Sequence, residues 1–213
     1  MQYSPDLNDH GLPHDPFVSL VLPRPIGWIS SVDADGRVNL APYSFFNIVA
    51  HRPSFVMFAS TRRKDSQTNA EERGEFVASM ATFELANEVN LSAAPVGADV
   101  SEPAALGLEM TPSTIVRPPR VKRSPIALEC KYHDTVRLPG YDGQEHICSI
   151  ILGRVVSVFI DDSVIVDGIV DIRRLRPLSR LGYLDYAVTD EVFSLPRPSP
   201  EELLSRAAAD ALP

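Results

Sequence analysis

The most chemically suggestive segment of the sequence is a basic, hydroxyl-rich loop. Its candidate binding residues are Ser60, Thr61, Arg62, Lys64, Asp65, Ser66 and Asn69. An apolar strand is predicted before the loop, and a helix is predicted to begin inside the loop. The free backbone N–H groups at the start of that helix would then lie close to the hydroxyls and cations of the loop. Together these groups can hold a dianionic phosphate. The alternative is a solvated polar loop, because charged loops of this kind are common.

A second candidate is the aromatic stretch that ends at Asn47. The adjacent rings Phe45 and Phe46 lie between Ser44 and Asn47, where backbone and amide groups could face a planar ligand ring. Taken alone, the pattern favours a corner of the hydrophobic core over a ring-binding site.

Several familiar catalytic signatures are missing from the sequence. It contains no glycine-rich dinucleotide fingerprint, no Walker phosphate loop, no H-E-x-x-H and no G-x-S-x-G elbow. The 5 histidines are scattered and the 2 cysteines form no C-x-x-C pair. We therefore expect neither an α/β-hydrolase nor a metal site.

Short strands are predicted to position these candidate residues. Alternation and turn residues predict a hairpin across Asp33–Gly36. Further strands are predicted at 54–60, 75–80, 126–138 and 146–160, with one or two short strands within 164–176. Helices are predicted at 65–73, 83–94 and 201–209. Asp65 or Ser66 is expected to cap the first helix, and residues 43–50 are expected to form a short helix or turn.

The sum of these elements predicts one α+β domain, mainly β with flanking helices, built around an antiparallel barrel. The strand at 54–60 has few polar residues and is expected to be buried on both faces. We divide the chain into an N-terminal extension (1–20), the domain itself (21–195) and a C-terminal tail (196–213).

Composition excludes several classes of protein. The chain has 213 residues and a formal net charge of −8, which argues against nucleic-acid and anionic-membrane partners. No apolar run reaches the length of a membrane span, and the N-terminus does not have the pattern of a secretory signal. The low cysteine content indicates a reducing compartment, so we expect a cytoplasmic protein.

Several segments resemble the flavin reductase-like family, whose members have the FMN-binding split-barrel fold with Greek-key antiparallel strands. The resemblance covers roughly residues 20–190. It rests on Pro23–Ser30, Asp35-Gly36, Asn39–Asn47, Lys64-Asp65-Ser66 with Asn69, Gly153–Val156, and Leu178–Tyr183 with Tyr186.

The resemblance implies a homodimer with tightly bound FMN. The phosphate would lie on the loop from Ser60 to Asn69, and the isoalloxazine ring against Ser44–Asn47. His146 and Arg180 would lie on the open side, where NADH or NADPH would deliver a hydride. The acceptor would be free flavin or a flavin-dependent partner enzyme.

Three functions remain open from the sequence. The first is an FMN-dependent NAD(P)H:flavin reductase, in which the cofactor carries the chemistry. The second is an FMN-binding oxidase, oxygenase or redox module of the same fold, and the third is a split barrel that has lost flavin. Tyr183 stands where the family often has glycine, so its ring could narrow or block the nicotinamide site.

Overall fold

The computed structural model describes residues 1–140 and 147–209, with the backbone alone for 206–209. The strands are β1 (Arg24–Pro25), β2 (Gly27–Val32), β3 (Val38–Tyr43), β4 (Phe46–His51), β5 (Ser54–Thr61), β6 (Glu75–Met80), β7 (Met110–Thr111), β8 (Arg120–Val121), β9 (Ile126–Leu138), β10 (Cys148–Ile160), β11 (Ile165–Val166), β12 (Ile169–Val170), β13 (Leu178–Arg180) and β14 (Tyr186–Val188). The helices are α1 (Asp65–Arg73), α2 (Ala86–Leu91), α3 (Glu102–Leu106), α4 (Ile172–Leu175) and α5 (Pro200–Ala209), with 3-10 turns at Phe17–Ser19, Phe83–Leu85 and Asp162–Val164.

The main sheet has seven antiparallel strands in the order β3-β2-β6-β9-β10-β5-β4. Its two outermost strands are consecutive in the chain, because only Ser44 and Phe45 separate Tyr43 from Phe46. A flat sheet of this size would place its edges about 29 Å apart, at about 4.8 Å per strand. Three peptide steps reach at most about 11 Å. The sheet must therefore curl into a barrel, with Ser44 and Phe45 where its edges meet.

The interior of the curled sheet is closely packed. A side chain at Gly27 would place its Cβ 2.4 Å from a ring carbon of Phe46, so β2 and β4 face each other across the interior. At Gly153 a Cβ would lie 2.3 Å from the ring of the fully buried Phe76. Both glycines leave room for aromatic rings that a larger residue would displace.

A small sheet joins the two ends of the domain. β13 pairs with β1 on one side and with β14 on the other, in the order β1-β13-β14. Arg24 lies directly opposite Arg180 in this sheet. Residues far apart in sequence therefore meet beside the barrel. Among the described residues, no helix is long and apolar enough to cross a bilayer.

Most of the predicted elements are confirmed. The hairpin pairs Gly27 with Tyr43 and Val32 with Val38 around the predicted turn, and β9 has the predicted bounds. Helix α1 ends at Arg73, where Gly74 takes the left-handed conformation (φ 74°) expected of a helix stop.

Four local predictions were wrong. Residues 43–50 do not form the predicted short helix or turn: Tyr43 ends β3, and residues 46–51 form strand β4, because they pair with β5 along the barrel edge. β5 alternates between buried and accessible side chains instead of being buried on both faces. The helix predicted at 83–94 is a 3-10 turn followed by the short α2. The N-cap of α1 is Lys64, not Asp65 or Ser66.

Candidate functional site

A cavity of about 360 Å³ opens at the start of α1. Its walls come from the end of β3, the loop before α1, and residues 92–96 after α2. Its polar lining includes Asn39, Tyr43, Arg63, Lys64, Ser66 and Glu102. The cavity thus lies between the end of strand β3 and the N-terminus of the nine-residue helix α1.

The N-terminus of α1 offers unsatisfied backbone donors. Lys64 precedes the helix in an extended conformation (φ −125°, ψ 168°), and its side chain makes no capping hydrogen bond. The first N–H groups of a helix have no intrahelical acceptor, and the helix dipole makes this end positive. The exposed Lys64 ammonium adds a full charge at the same place, and its Nζ lies 5.9 Å from the Tyr43 ring centroid. These donors favour an anion, against the opposing charge of Asp65 in the first turn of the helix.

Tyr43 supplies a second, independent indication of a ligand. Its side chain lines the cavity, only 6% of the residue is exposed, and its buried Oη has no hydrogen-bond partner among the described residues. The neighbouring Ser60 and Ser66 hydroxyls donate their own protons elsewhere, Ser60 to the Arg62 carbonyl (2.9 Å) and Ser66 to Asn39 Oδ1 (2.7 Å). They could act only as acceptors for Tyr43, and neither is in hydrogen-bonding geometry with its Oη. An unpaired buried hydroxyl is costly and therefore indicates a missing acceptor.

The protonation state of Tyr43 makes it a donor. Burial raises the pKa of the phenol above its usual value, and the neighbouring Ser66 and Ser60 hydroxyls offset only part of that effect. At neutral pH the hydroxyl therefore keeps its proton. A ligand oxygen placed beside it would receive a hydrogen bond.

A buried polar network fixes the wall of this cavity. Glu102 accepts hydrogen bonds from the Leu40 backbone N–H (2.9 Å) and from Asn39 Nδ2 (3.1 Å). The Ser66 bond to Asn39 Oδ1 continues the chain of contacts into α1, and Asn69 Nδ2 donates to Ser31 Oγ (3.1 Å). The network ties α1 to β2, β3 and α3, so the helix start is held rigidly against the barrel.

The structure brings together only part of the predicted phosphate set. Lys64, Asp65 and Ser66 line the cavity. Ser60 is buried beneath the loop, and Asn69 turns its amide into the interior. Thr61 and Arg62 are exposed and do not line the cavity, whereas Arg63 does.

A second cavity of about 310 Å³ adjoins the first, and both are lined by Pro42 and Ala93. Ser44 and Phe45 line it from the meeting point of the sheet edges. Its remaining notable lining residues are Arg24, Arg180, Tyr183 and Tyr186. We refer to these two cavities with their shared wall as the groove, with the α1 start at one end and an arginine-rich aromatic wall at the other.

The other half of the predicted ring-binding segment points away from the groove. Phe46 packs against the core cluster of the barrel and lines neither cavity of the groove. Asn47 is exposed and accepts the Ile48 N–H (2.8 Å) with its own Oδ1. Phe46 and Asn47 begin strand β4, in which successive side chains point to opposite faces, so one packs into the barrel and the other faces solvent.

Tyr183 has the backbone conformation that glycine favours. Its φ is 46°, and its ring lies 5.8 Å from that of His14 in the N-terminal extension. Beside it Gly182 packs so closely that a Cβ would lie 2.1 Å from Ser19 Oγ. The N-terminal extension and the segment at Gly182-Tyr183 thus cover this end of the groove together. His146, predicted on the open side, lies outside the described residues.

Sequence reasoning missed three lining residues. Arg63 was overlooked beside Arg62, because the sequence does not show which of two adjacent arginine side chains faces the cavity. Tyr43 reads as an ordinary core aromatic, and only the lack of a partner for its hydroxyl distinguishes it. Arg24 belongs to the Pro23–Ser30 motif, but its place in the groove depends on strand pairing with Arg180.

The sequence matches a known family over most of its length. The model of the flavin reductase like domain matches residues 19–177. An uncharacterized protein of Halalkalibacterium halodurans is 34% identical over 204 residues, covering 93% of this chain and 97% of the relative.

Solved structures agree with that match. Nitrilotriacetate monooxygenase component B from Bacillus cereus is 30% identical with a TM-score of 0.84, over 92% of this chain and 98% of that one. A putative flavin reductase with a split barrel domain from Shewanella frigidimarina has a TM-score of 0.81 at 20% identity, over 93% of this chain and 100% of that one. The second likeness identifies the fold as a split barrel.

Proposed function

The chain belongs to the flavin reductase-like family, and on that premise we propose that it is an FMN-dependent NAD(P)H:flavin reductase. The observation that carries the proposal is the unpaired, buried Tyr43 hydroxyl beside the uncapped start of α1. Both features provide donors that a ligand oxygen can use, and Tyr43 Oη has no hydrogen-bond partner among the described residues.

The residues of the first cavity fit a phosphate group. The backbone N–H groups at the start of α1 and the Lys64 ammonium provide charge-assisted donors, which bind oxyanions more strongly than neutral groups do. Tyr43 adds a neutral donor. Arg63 also lines the cavity, although it already pairs with Glu71 (2.6 Å). The rigid polar network behind Ser66 keeps these donors in place.

The second cavity fits the flavin ring. Pro42, Ser44 and Phe45 form an apolar and backbone surface on the wall that continues from the first cavity. FMN held there by these residues would supply the redox chemistry for hydride transfer from NADH or NADPH to an acceptor. The chain's own task is then to bind and orient the two rings, with Arg180 and His146 proposed on the side where nicotinamide enters.

The acceptor is proposed to be free flavin or a flavin-dependent partner enzyme. The likeness to a protein described as one component of a monooxygenase supports a partner enzyme. An FMN-binding oxidase, oxygenase or redox module is the second candidate, because Tyr183 lines the entrance and could exclude nicotinamide.

We also propose a cytoplasmic homodimer. The exposed apolar residues Ile48 and Val49 on β4 and Val158 on β10 support an interface, since such side chains are favourably buried on association. Sedimentation of the FMN-loaded protein at micromolar concentration should show a dimer. A monomer that retains FMN would overturn this part of the proposal.

Replacing Lys64 with alanine tests the phosphate end. Loss of one charge-assisted contact should raise the dissociation constant for FMN about tenfold or more. Fluorescence titration of the flavin-free protein with FMN measures the change. Lys122→Ala is the matched control, because Lys122 is exposed and pairs with Glu109 outside the groove. Equal FMN affinity in both variants would remove Lys64 from the site.

Anaerobic reduction tests the reaction itself. The FMN-loaded protein is mixed rapidly with NADH or NADPH, and the visible absorbance of oxidised flavin is followed. Bleaching by either nicotinamide is expected. A flavin that stays oxidised with both would favour the oxidase, oxygenase or redox-module alternative.

A further inference from the structure

Two arginines face each other across the small sheet. Arg24 on β1 and Arg180 on β13 are direct partners in an antiparallel pair. Side chains in this relation have their Cβ atoms about 5 Å apart, and like charges placed there destabilise the sheet. The pair therefore opposes folding unless something negative lies between or beside the two guanidinium groups.

No carboxylate among the described residues neutralises this pair. Within the part of the chain that the structure describes, neither guanidinium group forms an ion pair. Arg123 and Arg176, by contrast, each pair with a glutamate. Arg24 Nη1 instead donates to the backbone carbonyls of Val18, Val21 and Leu181, and Arg180 Nη2 donates to that of Tyr183. Carbonyls hold both groups in position but leave their charges uncompensated.

Both guanidinium groups keep donors free. Arg24 Nε is buried and has no acceptor among the described residues, which makes it a second orphaned donor in the groove. Burial and the Arg180 charge both lower the pKa of Arg24, as expected for a cation without a counter-ion. Each group is backed by an aromatic ring, with Arg24 5.6 Å from the Phe45 centroid and Arg180 4.6 Å from that of Tyr186.

The wall around the pair selects the shape of its ligand. Phe45, Tyr183 and Tyr186 line the same 310 Å³ cavity as the two arginines. Aromatic walls favour a planar ligand body, and the planar fork of a guanidinium matches a carboxylate in two parallel hydrogen bonds.

We infer that Arg24 and Arg180 form a binding site for the carboxylate of a planar, conjugated acid. This inference rests on the proposed function, because such an acid is a substrate or electron acceptor only if flavin occupies the neighbouring wall. The paired arginines set substrate specificity at their end of the groove. Tyr183 covers the ring of the bound acid.

Benzoate and its neutral isostere benzamide test the site. Each is titrated by calorimetry into the FMN-loaded protein and into the protein freed of flavin. Benzoate should bind at least tenfold more tightly than benzamide. Arg180→Gln should remove that preference, whereas Arg174→Gln should keep it. Arg174 is a matched control because it is exposed and donates to one carbonyl, that of Ser163, at 2.9 Å.

Each result has a defined meaning. Equal affinity for benzoate and benzamide, or the same loss in Arg174→Gln, overturns the inference. Tighter binding of inorganic phosphate than of benzoate overturns the carboxylate assignment in favour of a phosphate site. Arg180→Lys should restore charge but not the two-pronged geometry, so only part of the preference should return. A protein that binds benzoate as expected but not FMN would contradict the proposed function alone.

Discussion

The two ends of the groove differ in how their donors and charges are arranged. At the α1 end, backbone donors, one lysine and one tyrosine converge from neighbouring elements, and a buried network fixes them. At the other end, two like charges face each other on strands that come from opposite ends of the domain. The first end has its polar groups paired without a ligand, apart from one unpaired hydroxyl, whereas the second contains a repulsion that a bound anion would relieve.

This difference gives the α1 end the properties of a rigid binding site and the arginine end those of a site that selects its ligand. A preorganised network binds a constant group, such as the phosphate of a cofactor, at little cost in reorganisation. An uncompensated arginine pair stores unfavourable energy that an anion recovers on binding, which suits a site that exchanges its ligand. The comparison predicts opposite effects on the free energy of unfolding from Glu102→Ala at the α1 end and from Arg180→Gln at the other end.

Glu102→Ala should cause the largest effect, at the α1 end. It removes the acceptor of a buried backbone N–H and of Asn39, so the free energy of unfolding should fall by about 3 kcal/mol. Urea unfolding measures the loss. Glu109→Ala is the control, because Glu109 makes only an exposed pair with Lys122 and should change stability by less than about 1 kcal/mol.

A similar loss in both glutamate variants would show that the network does not stabilise the helix start. Benzoate affinity sharpens the comparison, because the arginine end shares no hydrogen bond with Glu102. FMN affinity should fall in Glu102→Ala while benzoate affinity stays the same. A parallel fall in both would mean that the two ends act as one unit.

Tyr43→Phe should raise the stability of the flavin-free protein and weaken its affinity for FMN. Removing an unpaired buried hydroxyl should raise the free energy of unfolding of the flavin-free protein by about 1 kcal/mol. The same change removes a donor to the ligand, so FMN should bind about fivefold more weakly. Thermal unfolding and FMN titration measure the two effects. Tyr132→Phe is the control, because Tyr132 lines neither cavity and its hydroxyl pairs with Thr135 Oγ1 (3.0 Å). A fall in both quantities would show that the hydroxyl already has a partner in the free protein.

The α1 end was the more predictable of the two from sequence. Its residues are nearly contiguous, so hydroxyls, cations and a helix start between a strand and Gly74 were enough to indicate an anion site. The sequence could not reveal which side chains face the ligand. The Ser66 hydroxyl donates its hydrogen bond to Asn39 on β3, and the Asn69 amide points inward and donates to Ser31 on β2. Neither donor is therefore free for a ligand.

The arginine end could not be derived from local patterns. Arg24 and Arg180 meet only because β1 pairs with β13, and such a pairing between distant segments leaves no periodic signal in the sequence. Family resemblance indicated Arg180 and Tyr183 but gave Arg24 no role. The β4 error has a related cause, since pairing with β5 overrides the local preference of residues 46–51.

Tyr183→Gly tests backbone strain at the arginine end. A non-glycine residue at φ 46° costs about 1 kcal/mol. Tyr183→Ala removes the same ring but keeps the strain, so the glycine variant should be about 1 kcal/mol more stable than the alanine variant. Chemical unfolding of both variants gives the difference.

Reduction kinetics of the Tyr183 variants show what the ring covers. If Tyr183 narrows the nicotinamide entrance, both variants should be reduced faster than the wild type. A wild type that is inert to both nicotinamides, with reduction gained in Tyr183→Gly, would contradict the reductase proposal for the natural protein. Equal rates in all three would show that Tyr183 does not line the entrance.

Arg180→Gln should have the smallest effect, and its sign is the distinctive part. Removing one of two directly opposed like charges should raise the free energy of unfolding by about 0.5 kcal/mol in the absence of ligand. Arg180→Lys keeps the charge and should show no such gain. At about 1 M salt the Debye length falls to about 3 Å, so the gain should shrink if it is Coulombic. Saturating benzoate should reverse the order, because only the wild type recovers binding energy from the ligand. A destabilised Arg180→Gln at low salt would mean that its hydrogen bond to Tyr183 outweighs the repulsion, and the contrast between the two ends of the groove would then fail.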